Sequence, residues 1–477
     1  MKKYIFKSLL LALVLFNIGS IFQGCSKNDV TIQNVEDKTI SGIRTGILRQ
    51  GLCGQGEFFE CTDEQVFILT HFEGQPMLYT GTHNDDLFKP VCSQDQCDHK
   101  TSSCDAWFES SGNVCYYGGH LFVNCGTSVY QLNLDGSGRE EILNLKDLYS
   151  DTYNGVANAR LWNGVYTFYL TKSVFENDEI NGWHIEQAKY DPYYFLLDGS
   201  MPEPLPMVNL ISQYNDGNSF IFRGPIDTNH EKPLIYLDEC QIYSWDPKSN
   251  STELLFADSS IIQSFYTPHG MVDKEDWEFS NPFGGVDMVY GGRMYEAFSE
   301  GYWGTDSAYF LKREVTDKGF VTNNLICKLT YSTASIEVLV DTGLEGSYKL
   351  CCFPDVIILC ETDTNDLSVD KLFLRRPKLY FYNWDFELLG TLDFASILGE
   401  DGYLGVAPQN VICGETAQRI YIATRFNGVP DFYIDKNEMI TGPIILHPLE
   451  YDGVNLDAAY AAVNKGMDQY HNGYIQH

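Results

Sequence analysis

The sequence repeats one pattern along its length: an apolar strand, a tight turn of small or polar residues, and a second strand rich in aromatic residues. The clearest copies are VCYYGGHLFVN from Val114, ARLWNGVYTFYL from Ala159 and DMVYGGRMYEAF from Asp287. Gly-Gly and Asn-Gly pairs between apolar runs favour hairpins, because the tight hairpin turns need positive φ. Each copy therefore predicts a β-hairpin.

A second kind of hairpin follows each copy, in which an aromatic strand meets a polar turn and returns as an apolar strand. One example is VYQLNLDGSGREEILNL from Val129, and another is ICKLTYSTASIEVLVD from Ile326. Two hairpins in succession predict a four-stranded antiparallel meander. The turns of the first hairpins are expected near residues 64, 118, 163, 224, 291, 354 and 415.

About seven meanders at intervals of roughly 45 to 67 residues predict an all-β fold, a β-propeller of four-stranded blades. Seven blades fit the count best, with six or eight as alternatives. A stack of β-sandwich domains is the competing architecture, but it would alternate sheet topologies along the chain. The composition agrees with a large aromatic core, since the chain has 31 Tyr and 29 Phe, residue types enriched in strands.

Two stretches interrupt the repeat and are expected to be long loops, residues 171–192 and 258–283. Both contain Trp, His and acidic residues, and loops on a rigid scaffold often hold binding residues. The propeller is assigned to residues 46–450. The segment 451–477 is expected to be a C-terminal extension with a short helix.

The N-terminus has the three parts of a secretory signal peptide. Three lysines within the first seven residues precede the apolar run Leu9–Phe16, and Gly24 stands directly before Cys25. We therefore expect residues 1–24 to be a signal peptide and Cys25 to be the lipidated first residue of a lipoprotein. A secreted protein with an incidental cysteine is the alternative.

The expected location follows from this signal. The polar residues 25–45 would act as a tether to the outer face of the bacterial cell membrane, because such a composition buries too little apolar surface to fold alone. The net charge of −33 argues against nucleic acid as a partner and against binding to an anionic membrane surface. Clustered acids could bind calcium, but no EF-hand loop is present.

The segment VCSQDQCDHKTSSCDAW from Val91 places Cys92, Cys97, His99 and Cys104 close together in sequence. Three thiolates and an imidazole suffice for structural zinc in tetrahedral geometry. Disulfides among these cysteines are the alternative, because an exported protein lies where disulfides persist, and a third possibility is that neither forms. Complete pairing is excluded, since 14 cysteines without Cys25 leave an odd number.

This segment resembles a motif of uncharacterised propeller-like lipoproteins of anaerobic Gram-positive bacteria. Their pattern is roughly C-S-x-x-x-C-x-H-x5-C-x-A, and here H-x4-C replaces H-x5-C. The resemblance covers nearly the whole chain. It implies a lipid-anchored propeller and does not imply an activity. Six of the other cysteines are expected to pack in strands, as free cysteine behaves as a small apolar residue: Cys115, Cys125, Cys327, Cys351, Cys360 and Cys413.

No catalytic motif stands out in the sequence. It contains no G-x-S-x-G, no H-E-x-x-H and no phosphate loop. We therefore expect a binding or scaffolding module at the cell surface, with a glycan or a protein as ligand, rather than an enzyme. A glycan-active enzyme with acids in the central pocket, and an envelope-assembly partner that binds other proteins, are the alternatives.

Overall fold

The computed structural model describes residues 59–461, with its longest gaps at 205–221, 224–233, 258–301 and 364–376. In this part of the chain, seven sheets of four consecutive strands follow one another, and neighbouring strands within each are antiparallel. The signal peptide, Cys25, the tether, the loop 258–283 and the hairpin at Asp287 lie outside the described residues.

The sheets are numbered in chain order. Sheet 1 consists of β1 (Phe59–Cys61), β2 (Gln65–Thr70), β3 (Met77–Thr82) and β4 (Leu87–Pro90). Sheet 2 consists of β5 (Gly112–Tyr117), β6 (His120–Cys125), β7 (Ser128–Leu132) and β8 (Glu140–Asn144). Sheet 3 consists of β9 (Gly155–Trp162), β10 (Val165–Asp178), β11 (Gly182–Leu196) and β12 (Glu203–Pro204).

Sheet 4 consists of β13 (Phe222–Arg223), β14 (Leu234–Asp238), β15 (Gln241–Asp246) and β16 (Ser251–Ala257). Sheet 5 consists of β17 (Tyr302–Trp303), β18 (Ser307–Val315), β19 (Val321–Thr330) and β20 (Ser335–Asp341), and sheet 6 consists of β21 (Ser347–Cys352), β22 (Ile357–Asp363), β23 (Lys378–Tyr382) and β24 (Leu388–Asp393). Sheet 7 consists of β25 (Ile412–Glu415), β26 (Arg419–Ile422), β27 (Phe432–Asp435) and β28 (His447–Pro448).

The prediction of a β-propeller built from four-stranded meanders is confirmed. The turn chemistry explains the pattern locally: Tyr117 pairs with His120 across Gly118 and Gly119, whose φ values are +58° and +85°. Only glycine adopts such angles without a steric cost. Seven sheets are described, while the number of blades in the whole chain stays a prediction.

The expectation of a loop at residues 171–192 is wrong. Residues 171–178 belong to β10 and 182–192 to β11, and the two strands pair from Val165↔Leu196 to Asp178↔Gly182. In the sequence, Asn181-Gly182 is itself a hairpin signal, and it outweighs the polar composition of the flanking residues. The third sheet therefore extends into a long two-stranded ribbon.

Helical structure is sparse in the described residues. Helix α1 (Phe394–Leu398) follows β24, and helix α2 (Lys436–Thr441) lies between β27 and β28. The Asp435 carboxylate caps α2 by accepting hydrogen bonds from the backbone N–H groups of Asn437 and Glu438. Short 3-10 helices span Leu145–Leu148 and Tyr331–Thr333, and residues 456–461 are helical.

Apolar side chains fill the spaces between consecutive sheets. Separate clusters of buried residues lie between sheets 1 and 2, between sheets 2 and 3, and between sheets 5 and 6. A larger cluster contains residues of sheets 6, 7 and 1 together. The last sheet therefore packs back onto the first.

A short C-terminal strand strengthens this contact. Strand β29 (Glu450–Tyr451) pairs in parallel with β4 as the fifth strand of sheet 1. The ring of Tyr451 lies 4.7 Å from Phe72, 5.3 Å from Tyr79 and 5.5 Å from Phe88, measured between ring centroids. The chain thus returns to its first sheet after completing the seventh.

The cysteines predicted to pack in strands do so, and all six are buried. Cys351 and Cys352 illustrate why: successive side chains of a strand point to opposite faces. Cys351 belongs to the cluster shared by sheets 6, 7 and 1, whereas Cys352 belongs to the cluster between sheets 5 and 6.

Candidate metal centre

The cysteine-histidine segment forms the connection from β4 to β5, and residues 91–108 are called the metal loop below. Both of its ends are hydrogen-bonded to the start of β3. The backbone N–H of Val91 donates to Leu78 O at 2.8 Å, and that of Leu78 donates to Ala106 O at 2.9 Å. The N–H of Phe108 donates to Pro76 O at 2.9 Å. The loop is therefore closed at its base.

Two tight turns shape the interior of the loop. The N–H of Cys97 donates to Gln94 O at 3.4 Å, and that of Cys104 donates to Thr101 O at 3.0 Å. His99 has a φ of +56°, a left-handed conformation that is uncommon outside glycine and is found preferentially at functional sites. These turns direct the ligand side chains toward one another.

The four predicted ligands lie together. The donor atoms of Cys92, Cys97, His99 and Cys104 are all within 4.8 Å of one another, and His99 Nδ1 is 3.2 Å from Cys104 Sγ. Tetrahedral zinc with Zn–S bonds of about 2.3 Å requires sulfur atoms about 3.8 Å apart. The group therefore has the donor types and nearly the spacing that a metal ion needs, and it could hold one.

Burial differs among the ligands. Cys104 is fully buried, while the other three side chains are half-buried. The pKa of the Cys104 thiol is raised to about 12, mainly because the thiol is buried. A hydrogen bond with the backbone of Ala106 opposes this rise, and the neighbouring Cys92 and Cys97 thiols add to it. A metal ion must therefore displace a proton from this thiol in order to bind.

Asp105 organises the ligand-bearing backbone, although it is not a ligand. Its carboxylate accepts hydrogen bonds from Ser93 N at 3.1 Å and Ser93 Oγ at 2.8 Å. It also accepts from Gln94 Nε2 at 3.0 Å and lies 3.9 Å from Cys92 Sγ. Burial alone would raise the pKa of Asp105, but these hydrogen bonds outweigh burial and lower it. The charged carboxylate thus ties the Cys92 end of the loop to the Cys104 end.

Cys92, Cys97 and Cys104 of the metal loop are free thiols in the described part of the chain. The predicted residue set is brought together in full, whereas Asp105 was not singled out from the sequence. Its position directly after Cys104 was the available signal, since metal sites commonly have a carboxylate next to their ligands.

Other buried acids in the described ranges have structural partners. Asp431 accepts hydrogen bonds from Thr424 N and Oγ1, each at 2.6 Å, and from Arg425 Nε at 2.8 Å. Glu415 pairs with Lys436, and both side chains are almost fully buried. Each buried acid is therefore bound by a cation of its own sheet or of an adjoining helix.

Comparisons with known proteins give fold similarity only. No family model and no curated protein matches the sequence. An uncharacterised protein of Listeria monocytogenes EGD-e is 9% identical, with 69% of this chain and 80% of that chain covered, at a TM-score of 0.34. The WD40 domain of Toxoplasma gondii coronin is 8% identical, with 85% and 86% covered, at 0.34.

Dipeptidyl peptidase 4 of Porphyromonas gingivalis is also similar, at 9% identity and a TM-score of 0.34, with 87% of this chain and 53% of that chain covered. Similarity at this level carries no argument about activity. Among the described residues, no helix combines the length and the apolar character needed to cross a membrane.

Proposed function

We propose that the protein is an exported, lipid-anchored propeller that acts as a binding or scaffolding module, and that its metal loop holds one structural zinc ion. The observation that carries the zinc proposal is the convergence of three sulfur donors and one imidazole nitrogen within 4.8 Å. Sulfur and nitrogen ligands suit zinc, whereas calcium and magnesium need oxygen.

A structural role follows from the number of ligands. Four protein ligands complete a tetrahedral zinc site and leave no position for water or substrate. The sequence between the ligands, SQDQ, D and KTSS, has no apolar residue with which to form a core of its own. Bound zinc would supply the cross-link that such a polar loop lacks.

The element best placed for binding is the ribbon of sheet 3. Strand β9 pairs with β10 only as far as Thr171, and β12 pairs only with Tyr193 and Tyr194 of β11. Among the described residues, 172–178 of β10 therefore pair only with 182–189 of β11. Their outer edges offer backbone N–H and C=O groups to an added strand, which favours an extended protein segment over a glycan as the ligand.

Metal analysis tests the zinc proposal. We expect the chain from residue 26 onward, purified without chelator, to contain about one zinc ion, as one four-ligand site requires. Cys97→Ala should lose the metal. Cys115→Ala is the matched control, since Cys115 is a buried cysteine of the neighbouring β5, and it should retain zinc. A metal-free chain with a disulfide among Cys92, Cys97 and Cys104 would contradict the proposal.

Cell fractionation tests the lipid anchor. Cys25→Ala should release the protein from the membrane fraction of the producing bacterium, while Cys53→Ala, another cysteine near the N-terminus, should leave it there. Mass spectrometry of the wild-type N-terminal peptide should show acylated Cys25. Unchanged membrane association of Cys25→Ala would refute the anchor.

Site-specific photo-crosslinking in producing cells tests the ribbon. A photoreactive residue at position 176 of β10 should form a discrete adduct with a protein, whereas the same residue at exposed position 341 of β20 should not. An adduct with a glycan instead of a protein would show that the ligand of the ribbon is a sugar. Equal crosslinking at both positions would argue against the ribbon as the binding element.

A further inference from the structure

The metal loop contacts the second sheet through the turn between β7 and β8. This turn, residues 133–139, is called the docking turn. Gly136 has a φ of +90°, and a Cβ atom placed on it would lie 2.4 Å from Val91 O and 3.3 Å from Asp105 Cβ. The backbone of the docking turn therefore rests directly on the base of the metal loop, so closely that only glycine fits.

Arg139 fastens the same contact. Its Nη1 donates to Trp107 O at 2.6 Å and to Asp105 O at 3.3 Å. The guanidinium group lies 5.3 Å from the ring centroid of Phe108 and 5.8 Å from that of Tyr130, within the range of cation–π attraction. Arg139 thus holds the backbone on either side of Ala106, next to the buried ligand Cys104.

In sheet 4, the corresponding turn contacts the preceding sheet directly. In sheet 4, the turn after β15 receives a hydrogen bond from Tyr194 Oη to Pro247 O at 3.1 Å. Asn250 of the same turn donates to Pro204 O, at the end of sheet 3, at 3.3 Å. Between sheets 1 and 2, the equivalent surface is the metal loop itself. The geometry of the metal loop therefore determines how closely the docking turn packs against it.

We infer that the metal loop is a metal-dependent joint between the first and second sheets, with Arg139 as the positioning residue that couples zinc binding to seating of the docking turn. The inference rests on the proposed zinc site. Because energetic coupling between two binding events is reciprocal, zinc should order the docking turn, and a seated docking turn should tighten zinc binding.

Two measurements on the full chain from residue 26 onward test this joint. Zinc affinity is measured by competition with a chromophoric chelator, and hydrogen exchange of residues 133–139 is compared with and without zinc. We expect Arg139→Gln to weaken zinc affinity by about 10-fold, the lower end of the effect of outer-shell residues on metal sites. The variant should also lose the zinc-dependent protection of the docking turn.

Arg419→Gln is the matched control. Arg419 also donates to a backbone carbonyl in the turn of an adjacent sheet, Asp85 O at 2.8 Å, and its guanidinium lies 3.7 Å from the ring centroid of Tyr433. It belongs to the contact between sheets 7 and 1, so its loss should lower stability without changing zinc affinity.

The failures of the joint and of the zinc site give different results. If the wild-type chain binds zinc and Arg139→Gln has the same affinity and the same exchange protection, the joint is refuted and the zinc site stands. An effect of Arg139→Gln confined to the stability of the metal-free chain would also refute the joint. If the wild-type chain takes up no zinc, both proposals fail.

Discussion

The return of the chain to its first sheet predicts a large loss of stability when Tyr451 is removed. Its side chain is 2% exposed, and its hydroxyl donates to Pro430 O at 2.7 Å. The neighbouring backbone groups pair with sheet 1, through Glu450 N to Asp86 O at 2.7 Å and Asp452 N to Phe88 O at 2.8 Å. Tyr451 is therefore the anchor of β29.

The magnitude follows from burial. An aromatic side chain buries about 200 Å², which at about 25 cal/mol per Å² amounts to about 5 kcal/mol as an upper estimate. Large-to-small substitutions of buried aromatic residues cost about 3–5 kcal/mol. We expect Tyr451→Ala to lower the free energy of unfolding by about 4 kcal/mol. Tyr451→Phe, which removes only the hydrogen bond, should lower it by about 1 kcal/mol.

Urea unfolding followed by circular dichroism measures both variants. A chain that ends at Leu449 should lose at least as much stability as Tyr451→Ala, because it also lacks the backbone pairing. Leu388→Ala is a control at a side chain that is 54% exposed, and it should change stability by less than about 0.5 kcal/mol. A loss below about 1 kcal/mol for Tyr451→Ala would show that β29 does not pack on the first sheet, since full burial costs several times more.

Three further predictions concern the joint, the metal and the core. Gly136→Ala should destabilise the protein by about 1–3 kcal/mol more than Gly118→Ala in thermal unfolding. Both glycines have positive φ, but only a Cβ atom at Gly136 would meet backbone atoms. Equal effects of the two substitutions would contradict the contact between the docking turn and the metal loop. The pKa of the Cys104 thiol is raised to about 12, so zinc must displace its proton between pH 6 and 8. Zinc affinity should therefore rise by about tenfold per pH unit for each thiol proton released. A zinc affinity that is independent of pH in chelator competition would contradict this. Glu415→Gln should cost about 3–5 kcal/mol in urea unfolding, because it removes the carboxylate that pairs with the buried Lys436. The double variant Glu415→Leu, Lys436→Met should recover most of this loss. A double variant no more stable than Glu415→Gln would contradict the pairing.

The fold was predictable because its determinants are local. Gly118-Gly119 and the aromatic strands beside it specify a hairpin within a dozen residues, and the same logic holds for each meander. The ribbon was missed for the opposite reason, since the acidic residues of 171–192 obscured the strand signal around Val174 and Phe175. Asn181-Gly182 in the sequence marked a turn, but the polar and acidic residues around it hid the two strands.

The candidate site was predictable only in its ligands. Cys92, Cys97, His99 and Cys104 are close in sequence, and their chemistry is distinctive. Arg139 comes from another sheet and contacts the metal loop through backbone carbonyls, which carry no sequence signature. The pairing of Glu415 with Lys436 was hidden in the same way, because it joins a strand to the start of a helix 21 residues further along the chain.

X-ray absorption at the zinc edge tests the metal centre most directly. In the chain from residue 26 onward, we expect a shell of three sulfur atoms at about 2.3 Å and one nitrogen at about 2.0–2.1 Å. His99→Ala should replace the nitrogen by a solvent oxygen or lose the metal. A wild-type shell of oxygen and nitrogen atoms without sulfur, or a chain without zinc, would contradict a Cys3His zinc site in the metal loop.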